Sequence, residues 1–188
     1  VVPDKRYCFD IFSPESSTGQ LLDAHQHRSV RPSAGQVFDH FANAADRMGA
    51  ICWDDRETDR LTLSHSLTEA KQAWSRVTEE NAYIDVHNWR FTPESFRIVI
   101  TDLQMLGLLP VSIVREFGTV GCEFFVTLGK SVGVPLHHER LPLLNAAALQ
   151  ADQRRNHLAG VEARLHELER VFEQTQIAHA EAFNEARE

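Results

Sequence analysis

"HNWRFTPESFRIVITDLQMLGLL", residues 87–109, and "VGCEFFVTL", residues 120–128, decide how this chain is read. In the first stretch Thr92 stands where a helix wants its N-cap, Pro93 takes the first helical position and Glu94 falls in the first turn. Phe96, Val99, Ile100, Leu103 and Leu106 then recur at three- and four-residue spacing, which predicts a buried helical stripe, and Gly107 supplies a C-cap. Just upstream, "AYIDVHNWRF" alternates in the manner of a strand. Downstream, "VSIVREF" and "CEFFVTL", joined by "GTVG", predict an antiparallel pair.

Outward from this block, the chain opens on "VVPDKRYCFD", an apolar run that breaks at a proline and empties into Asp4, Lys5, Arg6, Tyr7 and Asp10. Residues 1–10 therefore read as a strand end with a polar loop. Residues 11–82 are polar and rich in histidine. Helices are predicted from Ser17 to Gln26 and from Ser33 to Met48, the second with Val37, Phe38, Phe41 and Ala45 as its stripe and Gly49 as its stop. "AICW" and "LTLSHS" flank "DDRETD" as a small hairpin, and Ser66 with Glu69 forms the capping box of a further helix. The segment has the character of a partly helical inserted lid, after which residues 83–130 return to the main body.

Residues 131–142 read as a linker, and 143–188 as a helical tail without proline. Leu158, Val161, Leu165, Leu168 and Phe172 alternate three- and four-residue steps, the seam of a coiled coil sustained for about two heptads. Pairing of two copies through 158–172, or attachment there of a further module, is the expectation.

Composition narrows the partners. The 188 residues carry 19 Lys+Arg against 27 Asp+Glu, a net charge of −8, which opposes a phosphate-tracking or anionic-membrane surface. Neither nucleic acid nor a membrane is expected. No run of roughly 18 apolar residues is present. Cys8, Cys52 and Cys122 are odd in number and match no zinc or disulfide spacing, so a reducing cytoplasm is the expected setting. His25, His27, His40, His137 and His138, with Glu139, offer ligand chemistry without diagnostic spacing, and no metal site is assigned. Trp53, Trp74 and Trp89 read as packing residues.

The order strand, insertion, helix, antiparallel pair resembles the C-terminal half of a class I S-adenosylmethionine-dependent methyltransferase, where the fifth strand leads to the last helix and a closing hairpin. "VPDKRYCFD" is similar to the end of that fifth strand in a bacterial subgroup of these enzymes. The two stretches quoted first are similar to the subgroup's last helix and final strand. The resemblance covers Val1 to about Lys130. It implies an α/β fold: the C-terminal half of a Rossmann-like methyltransferase sheet with a lid, followed here by the long terminal helix. It also implies S-adenosylmethionine as cofactor, held by a glycine-rich turn and an acidic residue that these residues do not contain. The expectation is a part of a longer enzyme whose cofactor site lies mainly upstream of Val1.

Ligands of open α/β sheets bind beyond the carboxyl ends of the strands, which directs attention to Lys5, Arg6, Tyr7 and Asp10 as residues orienting a small polar acceptor, with Phe9 packing behind them. His87 is the candidate base: an oxygen nucleophile gains from losing its proton, and imidazole titrates near neutral pH. Asp85, two residues away, shares its face if the segment is extended and would orient the ring. Two functions follow. The first is O-methyl transfer to a sugar or other small polar metabolite. The second is a non-catalytic, methyltransferase-like binding module, dimerised or tethered through its terminal helix.

Overall fold

A computed structural model describes residues 1–53, 61–131, 133, 135 and 137–185; at 137, 152–163, 165 and 177–185 it describes the backbone alone. The fold is mixed α/β, with helices and small antiparallel sheets. Residues Val1–Ala147 make one compact unit and Ala148–Glu188 another.

The main sheet has three strands in the order β1 (Val2–Pro3), β5 (Glu123–Lys130), β4 (Val111–Val120). Val2 pairs with Phe124 and Pro3 with Glu123, both antiparallel. Because β4 is also antiparallel to β5, β1 and β4 run the same way, and the last strand lies between them. The hairpin turn sits one step later than the sequence predicts: Gly118–Val120 continue β4, and the chain reverses at Gly121–Cys122. Gly121 has φ +62°, the left-handed value that a two-residue turn of the II′ kind demands at its first central position. β4 carries an extra residue between Ile113 and Arg115 and another between Phe117 and Val120. The first of these bulges lays Val114 over Gly129, where an added Cβ would stand 2.5 Å from a Val114 methyl; only glycine fits beneath it.

Helix α4 (Pro93–Met105) covers this sheet. Thr92 is its N-cap, accepting from the Ser95 N–H, and Ser95 returns the bond to the Thr92 N–H. Gly107, at φ +71°, ends it: the Leu108 N–H reaches back to Leu103 and the Gly107 N–H to Gln104. Phe91, Val99 and Phe124 form the buried centre, with Val2, Leu21, Trp89, Phe96 and Leu103 packed round it. Leu106, expected in the stripe, is exposed, because the stripe ends where the helix does.

The segment between β1 and α4 holds α1 (Thr18–Gln26), α2 (Ala34–Asn43), the ribbon β2 (Ala45–Arg47) with β3 (Leu61–Leu63), and α3 (Leu67–Glu79). Each of the three helices opens on a serine capping box, at Ser17, Ser33 and Ser66. The second is shorter than its apolar spacing predicts. Ala45–Arg47 leave the helix to pair with Leu61–Leu63, and Gly49, at φ +84°, serves the following turn, its N–H bonded to Asp46 Oδ1 at 2.9 Å. The partner of Leu61–Leu63 is thus β2 and not "AICW", which instead bridges Cys8 through Cys52. "DDRETD" lies outside the described residues. Ile11, Ala45 and Trp53, with Tyr7 and Leu61 against them, make a second buried cluster. α2 lies along α3, with Val37 buried on the first and Ala70 and Ala73 on the second. Trp74 on α3 is exposed.

Residues 82–90, read from sequence as a strand, belong to no helix or sheet. Their hydrogen bonds go elsewhere: the Ser16 N–H to the Arg90 carbonyl, the Arg90 N–H to Ser16 Oγ, and the Lys5 N–H to the Phe91 carbonyl. No helix among the described residues is long and apolar enough to cross a membrane. Helix α5 runs Arg140–Glu185, starting inside the expected linker, with Pro142 tolerated in its first turn. Of the expected seam, Leu168 and Phe172 are exposed, while Leu158, Val161 and Leu165 lie outside the described side chains.

Candidate functional site

Immediately past β1 the chain tightens into a 3-10 turn, Lys5–Tyr7, capped by Asp4. Asp4 is fully buried and receives Arg6 through Nε at 2.8 Å and Nη2 at 2.5 Å, with Thr119 Oγ1 donating at 2.6 Å. The Lys5 ammonium turns inward and donates to the Ile11 carbonyl at 3.1 Å. Two of the cations expected to face an acceptor are therefore occupied in fastening this loop. Tyr7 packs against the Ile11–Trp53 cluster, beneath the Arg6 guanidinium at 5.1 Å.

Asp10 has a different fate. It is 2 % exposed, and both of its oxygens are engaged: Arg90 Nε donates to Oδ1 at 2.9 Å, and His87 Nδ1 donates to Oδ2 at 2.7 Å. A carboxylate only accepts, so Nδ1 of His87 carries the proton of this bond. The His87 side chain is 42 % exposed, against 3 % for Asp10 and 4 % for Arg90. A buried acid, clamped by a buried guanidinium, thus holds a reachable imidazole in one tautomer. That is an arrangement for taking a proton from a bound hydroxyl.

The ring of His87 also lies against Phe9, centroids 4.6 Å apart, and Phe9 in turn meets His40 edge-on at 5.5 Å. Burial pushes the His40 pKa down, against the opposing pull of Asp10, so this second imidazole stays neutral and adds no charge beside the first. His40 Nδ1, Asn88 Oδ1 and Arg90 Nη2 are buried with no hydrogen-bond partner among the described residues.

The structure thus brings together Asp10 and His87, and adds Arg90, Phe9 and His40. Asp85 does not orient His87. Its carboxylate accepts from the Tyr83 hydroxyl at 3.3 Å, and the His87 ring is held by Asp10 instead. Arg90 was inside the quoted stretch, yet nothing local marks it as the partner of a residue 80 positions away. Among the described residues no group of three His, Cys, Asp or Glu side chains gathers to hold a metal ion. Nor do these residues form a nucleotide cradle. Their left-handed glycines, Gly49, Gly107 and Gly121, serve two turns and a helix end.

No family model, curated protein or solved structure matches the chain.

Proposed function

We propose that the chain is the acceptor side of a class I S-adenosylmethionine-dependent methyltransferase that methylates a hydroxyl of a sugar or other small polar metabolite. The observation that carries this reading is the Asp10–His87 pair, 2.7 Å apart, just past the carboxyl end of β1. The strand order supports it, since the closing hairpin returns its last strand to lie beside the strand before the insertion. In this reading the methyl donor is bound mainly by residues other than those described. His87 Nε2 receives the acceptor's proton, Asp10 holds the ring and stabilises the imidazolium that results, and Arg90 keeps Asp10 in place. Tyr7, half-buried behind the loop, sets the position of residues 8–10.

The test uses the full-length protein as its gene encodes it, with methyl-labelled S-adenosylmethionine and a panel of sugars and polyols. Label is expected in an oxygen-linked methyl group of one acceptor. An acceptor that binds by calorimetry and is never methylated would favour the binding module, and a protein that binds neither cofactor nor acceptor would end both.

Two copies are proposed to pair through 158–172, where Leu168 and Phe172 are both exposed on α5. The parent should sediment as a dimer, and Leu168→Asp with Phe172→Asp as a monomer. A parent already monomeric at high concentration rules the pairing out.

A further inference from the structure

Cys8 and Cys52 are far apart in sequence and directly opposite in the fold. The 3-10 turn ends at Tyr7, and Cys8 follows it in extended conformation, at φ −143° and ψ 178°. Across from it stands Cys52, in an isolated antiparallel bridge. The flanking bonds, Phe9 N–H to the Ile51 carbonyl at 2.8 Å and Trp53 N–H to the Tyr7 carbonyl at 2.9 Å, belong to the residues on either side. The two cysteines are therefore a non-hydrogen-bonded pair, the closer kind, with side chains on one face and Cα atoms typically about 4.5 Å apart. That separation lies inside the roughly 4.4–6.8 Å that a disulfide spans. Cys8 is buried and Cys52 exposed, and both are free thiols.

We propose that Cys8 and Cys52 are a reversible thiol–disulfide pair, closed by low-molecular-weight disulfides, that fastens the loop after β1 to residues 51–53. This inference is independent of any methyl-transfer activity. Exposure selects Cys52 for the first step: its thiolate attacks one sulfur of oxidised glutathione, forming a mixed disulfide and releasing one reduced glutathione. The Cys8 thiolate then attacks the Cys52 sulfur and expels the second. One disulfide is consumed and one is made, and the two protons of the protein thiols end on the two glutathiones. Cys122, whose carbonyl accepts the Asp4 N–H at 2.8 Å, is aligned with Asp4 and not with Cys8, and it keeps its thiol.

The link acts on the stretch that supports His87. Phe9, next to Cys8, lies against the His87 ring, and Asp10 bonds its Nδ1. The loop that it closes, residues 8–52, holds α1, α2 and β2, so the unfolded chain loses freedom while the folded backbone already stands in register. Neither thiol is held as a thiolate: burial above all pushes Cys52 up to about 11 and Cys8 up to about 12. A stabilised thiolate is what makes a disulfide a strong oxidant, and without one the closed form is favoured once made. The same shift slows exchange at neutral pH, since only the thiolate attacks.

The experiment incubates the full chain with oxidised glutathione at about pH 8.5, where more thiolate is present, until the thiol count is constant, and maps linked peptides by mass. The count should fall from three to one, the link should join Cys8 to Cys52, and dithiothreitol should reverse it. Cys122→Ser should close the same link at a similar rate, and Cys8→Ser should leave glutathione on Cys52. A Cys52–Cys122 link in the parent chain, glutathione adducts without an internal link, or three thiols surviving prolonged treatment would each overturn the proposal. Because the parent map decides among these, a serine variant that fails to fold does not obscure the answer.

Discussion

Replacing Asp10 by alanine is expected to remove about 3–5 kcal/mol of folding stability, the cost of leaving one member of a buried ion pair alone. Arg90 is 5 % exposed, and Asp10 is the carboxylate its Nε bonds. Without that carboxylate the guanidinium remains in a region that water does not reach, and its desolvation is no longer offset. The damage would spread along a defined route. Arg90 bonds Ser16 through both its backbone N–H and its carbonyl, and Phe91 bonds Lys5, so the strapped segment that leads into α4 depends on the same residue. Asp10→Asn keeps an acceptor oxygen for Arg90 and should lose only about 1–3 kcal/mol. Asp10→Leu combined with Arg90→Met should recover most of the alanine loss, because no unpaired charge is left behind. Urea denaturation of the three variants measures the series. A loss below about 1 kcal/mol in Asp10→Ala would mean that the pair does not hold the loop, and that the acid is there for the imidazole alone.

What sequence reveals about this chain is what is encoded locally. The starts of α1, α3 and α4 are legible at Ser17, Ser66 and Thr92 because a cap and its reciprocal partner lie three residues apart. The end of α4 is legible for the same reason, since Gly107 alone can take the left-handed turn without strain. The end of α2 is not. Ala45 continues the helical spacing, and only the presence of Leu61–Leu63 across a gap in the chain draws it into a ribbon. The site follows the same division. His87 stands out as an imidazole beside a helix start, but its partner is 77 residues away, and the carboxylate close at hand, Asp85, is bonded to Tyr83. Lys5 and Arg6 read as ligand contacts because the loop past a strand's carboxyl end is where open α/β sheets bind their ligands. Here the loop curls into a 3-10 turn, and Asp4 and the Ile11 carbonyl take both cations. Spacing along the chain likewise cannot register the bridge that sets Cys8 opposite Cys52.

The second large effect concerns turnover. His87→Ala is expected to lower the rate of methyl transfer by a factor on the order of 100 or more in the full-length protein, with cofactor affinity nearly unchanged. The reasoning rests on which atom is reachable. Nδ1 is committed to Asp10, while the His87 side chain as a whole is 42 % exposed, so the ring is held at one nitrogen and open to a small molecule elsewhere. Alanine deletes the basic atom while leaving Asp10 bonded to Arg90, so the fold should tolerate this change better than the loss of Asp10 itself. Two measurements separate a base from a packing residue. Added imidazole should restore part of the lost turnover in His87→Ala, since a small base can enter the space the ring leaves. Asp10→Asn should lower turnover more than it raises KM, because it acts on the tautomer and orientation of the ring and touches no acceptor. If His87→Ala keeps near-normal turnover across the pH range and ignores imidazole, the ring belongs to the Phe9–His40 packing, and any rate enhancement rests on proximity and orientation alone.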